Sequence, residues 1–176
     1  MKELILGGAR SGKSALALQR ALASGKNVTF IATATAGDAE MATRIERHKT
    51  DRPAHWALIE EPIALAEVLL QHANEQACLL VDCLTLWLCN LLAGETIDEA
   101  QFIAQRDALL KVLPQLPGHI IFVSNEVGCG ITPMGQINRR FVDEAGRLHQ
   151  QLASVCDQVT LTVAGLPLSL KSSTPR

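Results

Sequence analysis

Tyrosine is absent, and Phe and Trp bring the aromatic share to only 3%, so any core must be built from Leu, Ile, Val and Ala. No apolar run approaches the ~20 residues that a bilayer-spanning helix requires. No charged-then-apolar leader opens the chain, because its first apolar stretch runs straight into a glycine turn. There is no C-x-x-C pair, and the cysteines (Cys78, Cys83, Cys89, Cys129 and Cys156) are odd in number. That pattern argues against a disulfide framework and reads as free, buried thiols in a reducing, cytoplasmic setting. A basic excess is also missing: the net charge is −2 and the pI near 6.2, which counts against a protein that coats nucleic acid. Repeats, low-complexity stretches and dividing linkers are absent too, so residues 1–176 are expected to form a single nucleotide-binding domain with a frayed polar tail at 171–176.

What is present suits a sizeable core. Hydrophobic residues make up 48% and charged residues 19%. A chain of 176 residues buries roughly 70% of its unfolded surface on folding. Short, nearly uninterrupted apolar runs at Lys2–Leu6, Val28–Thr33, Cys78–Asp82, Ile120–Ser124 and Val159–Val163 read as parallel strands covered on both faces. Helical spacing marks Lys13–Ala23, Ala39–Lys49, Ile63–Asn74, Leu84–Leu92, Asp98–Val112 and Gly135–Ser154. In the fifth of these, Phe102, Ala104, Leu109 and Leu110 are expected to face the core. In the sixth the inward residues are Ile137, Phe141, Ala145, Leu148 and Leu152. Such alternation predicts an α/β fold: a mostly parallel sheet with helices on both faces.

The strongest local signal is Gly7-Gly8-Ala9-Arg10-Ser11-Gly12-Lys13-Ser14, which fits G-x-x-x-x-G-K-[ST] at every fixed position, between a strand and a helix. Glycines let successive backbone amides converge on a phosphate, and the following helix offers its unpaired amides and positive end to the same anion. Lys13 is expected to neutralise the β- and γ-phosphates and the Ser14 hydroxyl to bind Mg²⁺. Asp82, ending an apolar run, supplies either a second hold on the metal or a cap for the next helix.

A second unusual stretch runs from Arg44 to Pro53. It brings Arg44, Arg47, Lys49 and Arg52 around His48 in a chain that is otherwise slightly acidic. Cations near a helix end stopped by a proline need no ligand to explain them. They also suit a site where neutral imidazole attacks phosphorus while its neighbours balance the developing charge. Spacing does not choose between α- and γ-phosphorus. Further on, Asn125-Glu126-Val127-Gly128-Cys129-Gly130 leaves a strand end, where α/β proteins place ligands, and offers acceptors or a base for a substrate hydroxyl.

Read in order, G-G-A-R-S-G-K-S at 7–14, I-A-T at 31–33, R-I-x-x-H-K-x-x-R-P at 44–53, V-D-C-L-T-L-W at 81–87 and S-N-E-V-G-x-G-I-x-P at 124–133 are joined by R-F-x-D-x-x-G at 140–146 and G-L-P-L-x-L-K at 165–171. Over nearly its full length the chain resembles the bifunctional adenosylcobinamide kinase / adenosylcobinamide-phosphate guanylyltransferases of cobalamin biosynthesis. The resemblance implies a RecA-like P-loop NTPase fold, a corrinoid substrate, GTP, ATP and Mg²⁺, and a homotrimer. It further implies phosphorylation of adenosylcobinamide, then transfer of GMP from GTP through a GMP–histidine intermediate carried by His48. Nucleotide contacts are implied for the P-loop, for Thr33, Ala34 and Thr35, for Lys49, Thr50, Asp51 and Arg52, and for Glu60 and Asp82. One departure stands out: the family commonly shows G-x-x-N-Q where this chain reads Gly146-Arg147-Leu148-His149-Gln150.

Two other classes compete on residues alone. A generic P-loop kinase for small metabolites has no evident need of the histidine-basic segment. A nucleotide-dependent switch or nucleic-acid binder is opposed by the negative charge and by the lack of an aromatic, basic surface.

Overall fold

The computed structural model describes residues 1–35, 53–93 and 97–172. In chain order the elements are β1 (Lys2–Gly7), α1 (Lys13–Ala23), β2 (Asn27–Ala32), β3 (Ala57–Glu60), α2 (Leu65–His72), β4 (Ala77–Asp82) and α3 (Leu84–Ala93). Then come α4 (Glu99–Val112), a 3₁₀ turn (Leu113–Gln115), β5 (His119–Asn125), α5 (Gln136–Val155), β6 (Gln158–Val163) and β7 (Leu166–Lys171). The helix expected over Ala39–Lys49 lies outside the described residues.

All the described strands join one sheet, in the order β3-β2-β4-β5-β1-β6-β7, parallel except for the antiparallel β6–β7 pair. The alternation of side chains along each strand sorts the core into two layers. On one face Leu4, Leu6, Ile31, Leu79, Val81, Ile120 and Phe122 meet Leu69, Trp87, Phe102, Leu109, Leu148 and Leu152 from α2 to α5. On the other, Ile5, Phe30, Leu80, Ile121 and Val123 meet Ala17 and Ala21, whose small side chains let α1 lie close to the sheet. With no tyrosine to place, Trp87 and Phe102 supply the bulk, and the Trp87 indole N–H is satisfied by the Ile63 carbonyl at 2.9 Å.

Helix ends follow local chemistry. Asp98 and Gln101 form a reciprocal capping box on α4 (2.8 and 3.0 Å), which Pro114 helps to end. Glu61 Oε1 accepts the amides of Ile63 and Ala64 at 2.8 and 2.7 Å just ahead of α2.

Several expectations change. Two strands are not among those the sequence marks, β3 and β7, and both are exposed edges without a core-strand hydrophobic run. Pro167 sits in β7, where an edge tolerates its missing donor. Ala104 and Ile137 face solvent rather than the core. Of the thiols expected to be buried, Cys78, Cys83 and Cys156 are, Cys89 is half-buried and Cys129 is exposed, all of them free. Lys171 belongs to β7, and its Nζ donates to the Ala153 and Ser154 carbonyls at 2.9 and 3.1 Å, so the polar tail begins after it. No described helix is long and apolar enough to cross a membrane.

Candidate active site

Chain order makes a cleft at the carboxyl edge of the sheet. From β1 the chain crosses to β2 on one side, while from β5 it crosses β1 to reach β6 on the other. Such reversals leave a crevice beyond the strand ends. Here Gly7, the last residue of β1, is in register with Asn125, the last of β5, and with Thr162 of β6. The phosphate loop and the Asn125–Gly130 loop therefore leave the sheet side by side, joined by a hydrogen bond from Glu126 N–H to the Gly7 carbonyl at 3.0 Å.

The loop itself is tightly folded. Arg10 (φ 56°) and Gly12 (φ 94°) both turn left-handed, and Ser11 N–H donates to the Gly8 carbonyl at 3.2 Å. A Cβ on Gly7 would meet Ser11 Oγ at 2.3 Å and the Thr162 carbonyl at 2.7 Å, so only glycine fits there. The Gly165 amide in the β6–β7 turn donates to the Ser11 carbonyl at 2.8 Å, bracing the loop from the far side. Lys13 Nζ reaches back over the loop to the Gly8 carbonyl at 3.1 Å.

Among the described residues no side chain caps α1: its N-cap is Gly12, and its first turn carries no acidic residue. The first amides of a helix have no partner within it. Together with Lys13 and the Ser11 hydroxyl, which is buried and has no partner among the described residues, this arrangement is chemically suited to an anion.

Across the crest, Glu60, Ala32, Asp82 and Val123 stand in one register row at or beside the ends of β3, β2, β4 and β5. Asp82 is half-buried and Glu60 exposed. Thr33 is fully buried: its hydroxyl donates to the Cys83 carbonyl at 2.7 Å and accepts the Cys83 amide at 3.0 Å. That hydroxyl is committed to joining β2 to the end of β4, whereas Thr35 is exposed and its hydroxyl donates to Asn90 Oδ1 at 3.5 Å. Asn90 holds this corner, its Nδ2 donating to the Thr33 and Pro62 carbonyls at 2.8 and 3.1 Å. Burial, reinforced by the negative charge of Asp82, pushes the Cys83 thiol up to about 11.

Behind Asn125 lies a polar chain to whose members the sequence assigns no role. Asn125 N–H donates to Thr85 Oγ1 at 2.7 Å, Thr85 Oγ1 lies 3.3 Å from Ser124 Oγ, and Ser124 Oγ lies 2.7 Å from His149 Nε2. One signal was available: Thr85 and Asn90 are polar side chains in a helix that is otherwise nearly all apolar. Burial holds the His149 imidazole below its ordinary pKa, opposed by the nearby Glu126 carboxylate.

His48, Lys49, Thr50, Asp51 and Arg52 lie outside the described residues. A cavity of about 550 Å³ opens at the opposite, amino edge of the sheet, lined by Glu3, Arg20, Lys26 and His119 among others. It touches no phosphate-loop residue, and the anion cradle is instead the open crest.

The chain is similar to several known proteins. The family model described as cobinamide kinase / cobinamide phosphate guanyltransferase matches residues 3–170. The bifunctional adenosylcobalamin biosynthesis protein CobP of Pseudomonas aeruginosa is 57% identical over 171 residues, covering 97% of this chain and 98% of that protein. The bifunctional adenosylcobalamin biosynthesis protein CobU of Escherichia coli K12 is 36% identical over 182 residues, covering 97% of this chain and all of the relative. Among solved structures, an ATPase of the type III secretion system of pathogenic bacteria superposes with a TM-score of 0.55 at 15% identity. The match covers 96% of this chain and 56% of that one. The flagellar accessory protein FlaH of Methanocaldococcus jannaschii gives 0.50 at 14% identity, covering 97% and 78%. These distant likenesses show the fold alone, the RecA-like P-loop α/β architecture.

Proposed function

The chain belongs to the cobinamide kinase / cobinamide phosphate guanyltransferase family, and from that premise we propose that one cradle, Gly7 to Ser14, grips the triphosphate for both reactions. The observation that supports this most is the uncapped first turn of α1 above the glycine loop, with Lys13 across it.

In the kinase step the aminopropanol hydroxyl of adenosylcobinamide attacks the γ-phosphorus of ATP or GTP. The bond to the bridging oxygen breaks, and the nucleoside diphosphate leaves. Backbone amides and Lys13 hold the β- and γ-oxygens and balance the charge that builds on them. Glu126, tied to Gly7 by its amide, is proposed to receive the hydroxyl proton. In the guanylyl step a ring nitrogen of His48 attacks the α-phosphorus of GTP and pyrophosphate departs. The phosphate of adenosylcobinamide phosphate then attacks the histidine-bound GMP, the P–N bond breaks, and adenosylcobinamide-GDP is released. Arg44, Arg47, Lys49 and Arg52 surround His48 in the sequence and supply the positive charge this displacement needs. Ala34, Thr35, Thr50, Asp51 and Glu60 complete the nucleotide contacts. Ser14 and Asp82 would offer the hard oxygen donors that Mg²⁺ prefers. Bound there, Mg²⁺ would neutralise phosphate charge.

The test is covalent labelling. With α-³²P-GTP and Mg²⁺ the protein is expected to retain acid-labile label, and His48→Ala to retain none. Equal labelling of parent and variant removes His48 from the mechanism, and no label on either returns the enzyme to a kinase without a covalent step.

The protein is further proposed to act in the cytoplasm as a homotrimer. Support comes from β7, an open edge on which Leu166, Leu168 and Leu170 are 72%, 56% and 56% exposed, a surface that calls for a partner. Light scattering should give a mass near three times 19.0 kDa, and a monomer mass at micromolar concentration refutes the assembly.

A further inference from the structure

The polar chain behind Asn125 has a direction. The Asn125 amide proton is fixed on nitrogen, so Thr85 Oγ1 is an acceptor from it. A hydroxyl has a single proton to give. Thr85 gives its proton to Ser124 and Ser124 gives its own to His149 Nε2, provided that nitrogen is bare. Every donor is then used. A proton on Nε2 reverses the order: Ser124 must accept from the ring and give to Thr85. Thr85, already accepting from the amide, would have to find another acceptor for its own proton. The chain is internally consistent when His149 is neutral and protonated on Nδ1.

The far end of this chain is the active-site crest. Asn125 is in register with Gly7, and the next residue, Glu126, is hydrogen-bonded through its amide to the Gly7 carbonyl. Ser124 and His149 are 2% and 7% exposed, so water does not compete for these bonds. We propose that His149 is a positioning residue for the reactions of this site. As the terminal acceptor of the Asn125–Thr85–Ser124 chain, it fixes where the β5 loop presents Asn125 and Glu126 beside the phosphate loop. This rests on the reading of the Gly7–Asn125 crest as the place of reaction.

Among the described residues the charges around the ring are few. Glu126 in the loop after β5 acts on it directly. The facing helix α3 carries no charged residue. On β1 the charged residues Lys2 and Glu3 lie at the amino end, as does His119 on β5, away from the crest. Arg106 of α4 and Arg147 of α5 are engaged with Glu144, and Arg140 with Glu99. Protonating His149 therefore works against burial, with Glu126 the one described charge in its favour.

The experiment uses full-length ¹⁵N-labelled enzyme and two variants, His149→Gln, whose amide oxygen reaches the place of Nε2, and His149→Leu, which has no acceptor. Long-range ¹H–¹⁵N spectra at pH 7.5 should show His149 as the Nδ1–H tautomer, its signals identified by their loss in His149→Gln. Both half-reactions should fall on the acid side below pH 6.5 in the parent. His149→Gln should keep kcat within about threefold and lose that acid limb, as expected when a comparable hydrogen bond is retained. His149→Leu should lose about tenfold or more in kcat with nucleotide KM unchanged, the scale of one buried hydrogen bond. An Nε2–H tautomer in the parent, a His149→Leu enzyme with parental kcat, or an unchanged acid limb in His149→Gln each overturns the proposal. The tautomer is read on the parent, so the question stays answerable if a variant does not fold. Lys13→Ala separates the two readings: full activity in that variant refutes the crest assignment and leaves the tautomer result standing.

Discussion

At the scale of single residues, environment rather than residue type decides what each group can do. Lys13 and Lys171 are the same side chain, yet one crosses the phosphate loop and the other fastens the last strand to the end of α5. Cysteine shows the contrast most sharply. Burial pushes Cys156 up to about 12 and Cys83 to about 11, whereas Cys129 stands exposed in the β5 loop. Iodoacetamide at pH 8 should therefore modify Cys129 well before either buried thiol, as peptide mass spectrometry would reveal; equal modification contradicts the burial. The same shifts govern alkaline stability. An unfolded thiol releases its proton near 9.0, while the native protein keeps the protons of Cys83 and Cys156 to higher pH. Their contribution is fully present below pH 9 and is lost progressively as pH rises toward 12. The denaturation midpoint should fall over that window, and a midpoint constant from pH 8 to 11 would count against it. The glycine loop between β1 and α1 was legible because its spacing is dictated by backbone geometry, with no room for a Cβ at Gly7 and a left-handed φ at Gly12. The His149–Ser124–Thr85 chain was not, because it joins three elements far apart in sequence and no local pattern marks such a meeting.

At the scale of elements, β1 is the most informative, since its carboxyl end feeds the phosphate loop and its amino end holds a buried carboxylate. Glu3 is 1% exposed and is held by Arg20 of α1, with His119 Nε2 at 3.7 Å from its second oxygen. Neither that oxygen nor His119 Nε2 has a hydrogen-bond partner among the described residues. The pair ties α1 to the sheet at the end opposite the glycine loop. Arg20→Met leaves a buried charge uncompensated and should cost about 3 kcal/mol of stability, whereas Glu3→Leu with Arg20→Met should recover most of that loss. Urea denaturation of the three proteins decides it; a single variant as stable as the parent means the pair contributes nothing. The central strands and α1 could be read from the sequence because both faces of the strands are covered and their apolar runs are continuous. The edges β3 and β7 could not, since exposed strands carry mixed polarity and β7 a proline. Ile137 and Ala104 follow the helical period but sit where no described element covers them, a fact that periodicity does not contain.

At the scale of the molecule, strand order decides where ligands can sit. Because β1 is flanked by β5 and β6 while the chain leaves it toward β2, the carboxyl edge opens beside Gly7, and loops from distant parts of the sequence converge there. Topology also separates this crest from the amino-edge cavity, with the full length of the strands between them. The account stands on the triphosphate being held at the crest. A crystal structure with a non-hydrolysable GTP analogue and Mg²⁺ tests it most directly. The triphosphate should lie in the Gly7–Ser14 loop, its β-phosphate met by the first amides of α1 and by Lys13 Nζ. A nucleotide seated elsewhere, for instance in the cavity lined by Glu3, Arg20 and His119, with the loop free of phosphate, would contradict it.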